Sequence, residues 1–163
     1  MDKPAALPGN WQKKSADHSK QYKQFLQRHN RRQVLQQLPA LNQQAFAAID
    51  CLQCGACCRN YSPRFKTPDI RRLAKYLKMK ESHFIEKYLK LDNEGDYVLQ
   101  SSPCPFLGAD NVCSVYDQRP SDCHRFPYTD EDVLLDRPNI TLKNASFCPI
   151  TFYVLEKLLA QVK

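Results

Sequence analysis

Eight cysteines carry the chemistry of this chain, and four of them fall within eight positions: Cys51-Leu52-Gln53-Cys54-Gly55-Ala56-Cys57-Cys58. The other four, Cys104, Cys113, Cys123 and Cys148, are spread over the later sequence, and none precedes residue 51. A Cys-x-x-Cys pair on a tight turn aims two sulfurs at one ion, and the turn's amides can donate to the thiolates. That spacing occurs twice in succession, from Cys51 to Cys54 and from Cys54 to Cys57. Gly55 supplies the φ > 0 backbone such a turn often needs. Cys57 and Cys58 are adjacent, and successive side chains diverge on any regular backbone. Cys58 is therefore expected to serve the centre differently from Cys57: on a second ion, as a bridge, or in reserve.

Two other uses of the thiols weigh against metal. An even count fits a disulfide framework. The N-terminal residues, however, contain no apolar run of signal-peptide length, which points to the cytoplasm. There, such a pattern binds metal or catalyses more often than it forms bridges. Cysteines also serve as small buried apolar residues, a role that fits one or two of the eight but not four in one turn.

The metal itself is read from spacing. Cys51-x₂-Cys54-x₂-Cys57 equals the first three ligands of a bacterial ferredoxin run, whose last ligand precedes a proline. Cys104-Pro105 and Cys148-Pro149 both supply that dipeptide. A 4Fe-4S cluster on Cys51, Cys54, Cys57 and one distant cysteine is thus the first expectation. One or two tetrahedral Zn²⁺ sites are the alternative, since they too take all-cysteine ligands.

The elements that must position these thiols are mostly helical. Residues 1–15 form a polar arm in which Trp11 packs on the body. Residues 16–38 repeat apolar residues at helical spacing through Tyr22, Phe25, Leu26 and His29. Lys20, Lys23, Arg28, Arg31 and Arg32 lie on the other face, and Pro39 is expected to end or kink the helix. A short helical piece with Leu41, Ala45, Phe46 and Ile49 leads into the cysteine turn. His29 is a packed histidine on that stripe, and His18 has no partner pattern. Thr67-Pro68-Asp69 opens a helix, with Thr67 as N-cap. Another helix starts at Ser82, and Tyr97-Val98-Leu99 is a short strand after the Asn93–Asp96 turn.

Residues 104–113 read as a small hairpin with a cysteine at each foot around Gly108-Ala109-Asp110-Asn111. Residues 117–127, broken by Pro120 and Pro127, are expected to be irregular. Ile140-Thr141-Leu142 is expected as a strand, and a final helix spans 150–161. The fold class is mainly α with a small β-hairpin, an irregular metal-stapled α+β domain. Residues 1–50 form a basic helical N-terminal arm, and 51–163 a cysteine-cluster domain.

Three blocks now stand in order: Cys51-x-x-Cys54-x-x-Cys57-Cys58, Cys104-Pro-Phe-Leu…Cys113-x-Val-Tyr, and Arg119-Pro-x-x-Cys123…Phe126-Pro127. Together they resemble the bacterial YkgJ cysteine-cluster family, described as zinc- or iron-chelating, over about residues 51–127. The resemblance implies a metal or iron–sulfur centre held by these cysteines. A similar module occurs in the flagellin lysine methylases. The family usually has Arg directly after the third-block cysteine, where this chain has His124 followed by Arg125. Arg119, His124 and Arg125 flank Cys123, where they can offset thiolate charge and tune the centre.

Charge bounds the partners. The chain carries a formal net charge of +7. Residues 1–50 hold eight Lys/Arg against three Asp/Glu, so the basic character sits mainly there. A solvated face is the first reading of these helices and a protein partner the second; nucleic acid is not expected, because no aromatics interleave with the charges. No stretch nears the roughly 18 apolar residues of a membrane span. Glycines stand only at 9, 55, 95 and 108, which excludes clustered-glycine nucleotide loops. A binding role is expected ahead of an enzymatic one.

Overall fold

The computed structural model describes residues 7–50 and 54–161. In chain order its elements are α1 (Trp11–Asp17), α2 (Ser19–Gln27), α3 (Arg31–Ala48), α4 (Ala56–Asn60), α5 (Thr67–Tyr76), α6 (Glu81–Tyr88), β1 (Leu89–Leu91), β2 (Tyr97–Leu99), a 3₁₀ turn (Tyr116–Gln118), α7 (Ser121–Arg125), α8 (Val133–Asp136), α9 (Pro138–Ala145) and α10 (Pro149–Gln161). The protein is mainly helical with one two-stranded antiparallel hairpin, the class its sequence predicts. The chain divides into two compact units, Met1–Cys51 with Pro127–Lys163, and Leu52–Phe126. The segment holding α8, α9 and α10, grouped by sequence with the cysteines, thus folds with the N-terminal helices. No helix among the described residues is long and apolar enough to cross a membrane.

In the first unit α10 packs against α1, α2, α3 and α9. Tyr22, Val34, Leu38, Leu41, Ile150, Leu155 and Leu158 are all buried in it. The Trp11 ring lies 5.5 Å from Phe152, so the arm residue is a packing anchor, as expected. His18 does have a partner: its Nδ1 lies 2.6 Å from Glu156 Oε1, which also accepts from the Tyr22 hydroxyl at 2.7 Å. Burial, then the Glu156 carboxylate, pushes the Tyr22 hydroxyl far above its ordinary range. Arg31 of the basic face is tied to Asp136 at 2.7 Å and to Asp132 at 3.3 Å.

Two features of this unit differ from expectation. Of the two outcomes expected at Pro39, an end or a kink, the end does not occur: Pro39 lies inside α3. An internal proline costs about 3 kcal/mol. Burying Val34, Leu38 and Leu41 returns about 1.5–3 kcal/mol each, which exceeds it. The break falls earlier, where Asn30 caps α3 by accepting the Gln33 amide at 3.1 Å. Residues 140–142 are not a strand but the middle of α9. Pro138 at its first position presets φ for a helix, and the Thr141 hydroxyl donates to Leu134 O at 2.7 Å.

The second unit is built on an aromatic and aliphatic core of Phe65, Ile70, Leu73, Phe84, Leu89, Leu99, Phe106 and Val115. α5 starts at Thr67, one residue earlier than expected, so Lys66 is the N-cap and the Asp69 carboxylate accepts its amide at 3.0 Å. The Tyr97–Leu99 strand forms, pairing antiparallel with Leu89–Leu91 in the register Leu89 to Leu99. Residues 117–127 are more regular than expected, because the 3₁₀ turn and α7 fall either side of the Arg119-Pro120 step.

Candidate metal centre

The cysteine turn is built as its glycine requires. Gly55 has φ +61° and caps α4, whose first turn carries Cys57 and Cys58. A β-carbon at Gly55 would stand 3.0 Å from Arg59 Nη1 and 3.1 Å from Asn111 Oδ1, so backbone conformation and space both call for glycine. The turn docks on the next cysteine segment through the backbone. The Cys104 amide donates to Cys58 O at 2.7 Å, and the Ser102 hydroxyl donates to Arg59 O at 2.6 Å. Arg59 Nη2 also donates to Asn111 Oδ1.

Residues 104–113 turn back on themselves, but through one antiparallel bridge, Leu107 to Cys113, in place of paired strands. Gly108 N donates to Val112 O at 2.9 Å and Ser114 N to Phe106 O at 2.8 Å. Asn111 takes φ +66°, which closes the turn tightly. The Phe106 ring lies parallel to Phe84, 6.3 Å away, and seats the loop on the core. Cys104 and Cys113 pack against that same core. The Phe106 and Leu107 amides donate to the Cys104 sulfur, and the Val115 amide to the Cys113 sulfur. Amides aimed at sulfur favour thiolates and so favour metal ligation.

Cys123 rides on α7, which two buried carboxylates hold in place. Asp69 Oδ1 accepts the Ser121 amide at 3.1 Å and Arg72 Nη2 at 3.1 Å. Asp122 Oδ2 accepts Arg64 N at 3.1 Å and Arg64 Nε at 2.9 Å. The Tyr61 ring lies 4.5 Å from Phe126, closing the same segment.

Electrostatics tie four thiols together. A hydrogen bond from the Cys57 thiol holds Cys58 down to about 7, against the opposing effect of its burial and with help from the Arg59 charge. Burial pushes Cys104 up to about 11, and the charges of Cys58 and Cys113 add to the rise. Cys113 is raised by burial and by the Cys58 charge. Cys123 is raised furthest, by burial and then by the charges of Cys58, Cys104 and Cys113. Each of these three feels the charge of Cys58, so Cys58 lies within electrostatic reach of the distant cysteines.

The flanking cations divide in role. Arg119 lies over the Tyr116 ring, with Cζ 3.8 Å from its centroid, and donates to Tyr116 O at 2.8 Å. Its charge lowers both Cys113 and Cys123. Arg125 turns to Asp122 at 3.7 Å. His124 is exposed. Loss of water on its inner side, with the Arg119 and Arg72 charges, holds its imidazole below the ordinary range.

Cys54 precedes Gly55 and is half-buried, like Cys57. Cys51 lies outside the described residues. Cys148 is buried in the other unit, just before α10, where its amide donates to Asn144 O at 2.7 Å. No disulfide joins the described cysteines. Among the described residues no three Cys, His, Asp or Glu side chains stand at metal-holding separations. The donor chemistry fits a thiophilic metal: cysteine sulfurs, amides directed at them and a nearby guanidinium, with the close carboxylates already paired. Sequence reasoning missed Arg59, Asn111, Asp69 and Asp122 as positioning groups. Of these, Asn111, in a Gly-Ala-Asp-Asn turn, and Asp69, in the Thr67-Pro68-Asp69 helix start, carried a local signal.

A family model named CxxCxxCC, described as "Putative zinc- or iron-chelating domain", matches residues 50–149. No curated protein and no solved structure matches the chain.

Proposed function

The chain belongs to the CxxCxxCC cysteine-cluster family, and from that premise we propose that its cysteines hold a metal centre, with Cys58, Cys104, Cys113 and Cys123 among the thiols that surround it. The observation that carries this reading is the shared influence of the Cys58 charge on the other three thiols, with amides directed at Cys104 and Cys113. Cys54 and Cys57 stand on the same turn, and Cys57 supports Cys58 by hydrogen bonding. Cys51 and Cys148 complete the set of candidate ligands.

The group held is proposed to be a 4Fe-4S cluster, on the strength of the Cys51-x₂-Cys54-x₂-Cys57 spacing. A Cys₄ zinc site is the second reading. It is favoured by Cys58, outside that triplet, being the thiol whose charge reaches the distant ones. An iron–sulfur group supplies one-electron chemistry when bound, and zinc supplies a structural tie. The chain's own part is common to both. Four thiolates on a divalent metal carry a net charge of about −2, and Arg119 offsets part of it. Cys104 packs against the core that contains Phe84 and Phe106.

The role proposed is binding, for electron transfer, metal handling or structure, in the cytoplasm, with the basic helices facing a protein partner. Turnover on a protein lysine would replace it with a modification role like that of the flagellin lysine methylases. Anaerobic purification with metal analysis and a visible spectrum tests the centre. A brown protein bleached by reductant supports iron–sulfur. A colourless one with stoichiometric zinc supports the second reading. A folded, fully reduced protein that retains neither metal overturns both.

A further inference from the structure

The cysteine turn and the 104–113 loop are joined by a contact that uses no thiol. Arg59, one residue past Cys58, donates to the Asn111 side chain. Both groups lie over Gly55, at 3.0 and 3.1 Å from where a β-carbon would stand. Asn111 adopts φ +66° to reach this place, a conformation Asn tolerates better than most residues. The contact is flanked by two other bonds between the segments, Cys104 N to Cys58 O and Ser102 Oγ to Arg59 O.

We propose that Arg59 and Asn111 are positioning residues of the metal centre, a clamp over Gly55 that docks the cysteine turn on the 104–113 loop before metal is bound. The guanidinium bonded to a neutral amide ties the two segments without competing for the metal. The consequence for affinity rests on the metal-binding reading, whereas the clamp itself rests on the contacts alone. Removing such outer partners weakens metal binding about 10–100-fold.

Asn111→Gly keeps the left-handed backbone and removes the acceptor, while Asn111→Asp keeps an acceptor. Arg59 and its charge remain in both. Amide hydrogen exchange at Cys104 in the metal-free protein reads the docking, and competition titration with Co²⁺ and Zn²⁺ reads the affinity. Asn111→Gly is expected to speed Cys104 exchange about tenfold or more and to weaken both metals about 10–100-fold. Asn111→Asp is expected to do neither. Gly55→Ala, whose methyl enters the clamp, is expected to follow Asn111→Gly. Unchanged Cys104 exchange in Asn111→Gly overturns the clamp, as does equal acceleration in both Asn111 variants. If the wild-type protein takes up no Co²⁺, Zn²⁺ or iron while Cys104 exchange still quickens in Asn111→Gly, the metal reading falls and the clamp stands.

Discussion

The Cys104 amide donates to the Cys58 carbonyl across 2.7 Å, so two thiols far apart in sequence share a backbone bond before either meets a metal. That bond fixes the backbone of the cysteine turn against the segment that carries Cys104.

Cys58→Ser should weaken metal binding at least about 100-fold. In the metal-free protein, alkylation of Cys58 should reach half its limiting rate near pH 7, the value to which the Cys57 hydrogen bond lowers it. The folded value lies below the usual thiol range of about 8.5. The stabilisation from this thiolate is thus complete above that range and lost as pH falls through 7. Cys57→Ala should move the alkylation midpoint upward, and an unmoved midpoint would refute the hydrogen bond as its cause.

Arg119 should matter more to the centre than either basic residue that follows Cys123. Its charge lowers Cys113 and Cys123, whereas Arg125 is drawn to Asp122 and His124 is exposed. Arg119→Gln should weaken Zn²⁺ binding about 3–10-fold at neutral pH and steepen its loss toward acid. Arg119→Lys should restore part of both. Equal effects from His124→Gln would remove the distinction.

Asp69 joins α5 to the start of α7 and so sets the place of Cys123. Its side chain is almost fully buried and accepts from Lys66, Arg72 and Ser121. Asp69→Ala should destabilise the metal-free protein by about 2–4 kcal/mol in urea melts. A loss under about 0.5 kcal/mol would mean that the packing of Leu73 and Phe84 holds this region without it.

In the helical unit, Glu156 receives the buried Tyr22 hydroxyl and His18. The folded Tyr22 value is raised, so the stability this group contributes is whole below the free value of about 10 and lost as pH rises above it. Glu156→Ala should cost about 1–3 kcal/mol at neutral pH, and Glu156→Gln, which keeps an acceptor, much less. Spectroscopic titration should find one tyrosine that does not ionise until the protein unfolds in alkali. Full ionisation in the folded state would refute its burial.

Features encoded within a few residues were legible in the sequence. Gly55 announced a left-handed turn, Thr67-Pro68-Asp69 a helix start, and Asn93–Asp96 the turn before Tyr97–Leu99. Features decided by distant packing were not. Divergence of Cys57 from Cys58 follows from backbone geometry, but which of them faces Cys104 depends on how α4 docks. Pro39 reads as a stop until the apolar face of α3 is set against α10. Ile140-Thr141-Leu142 looks β-prone until Pro138 starts a helix and Thr141 bonds to Leu134. His18 meets Glu156 only because segments from opposite ends of the chain share one core.

That shared core bears on synthesis. Ribosomes extend a chain at about 5–20 residues per second, so residues 52–126 emerge seconds before α10 does. The cysteine unit is then fully synthesised while the helical unit still lacks the helix that packs against α2 and α3. During that interval α1, α2 and α3 present a bare apolar surface on the nascent chain, the kind of surface that chaperones bind.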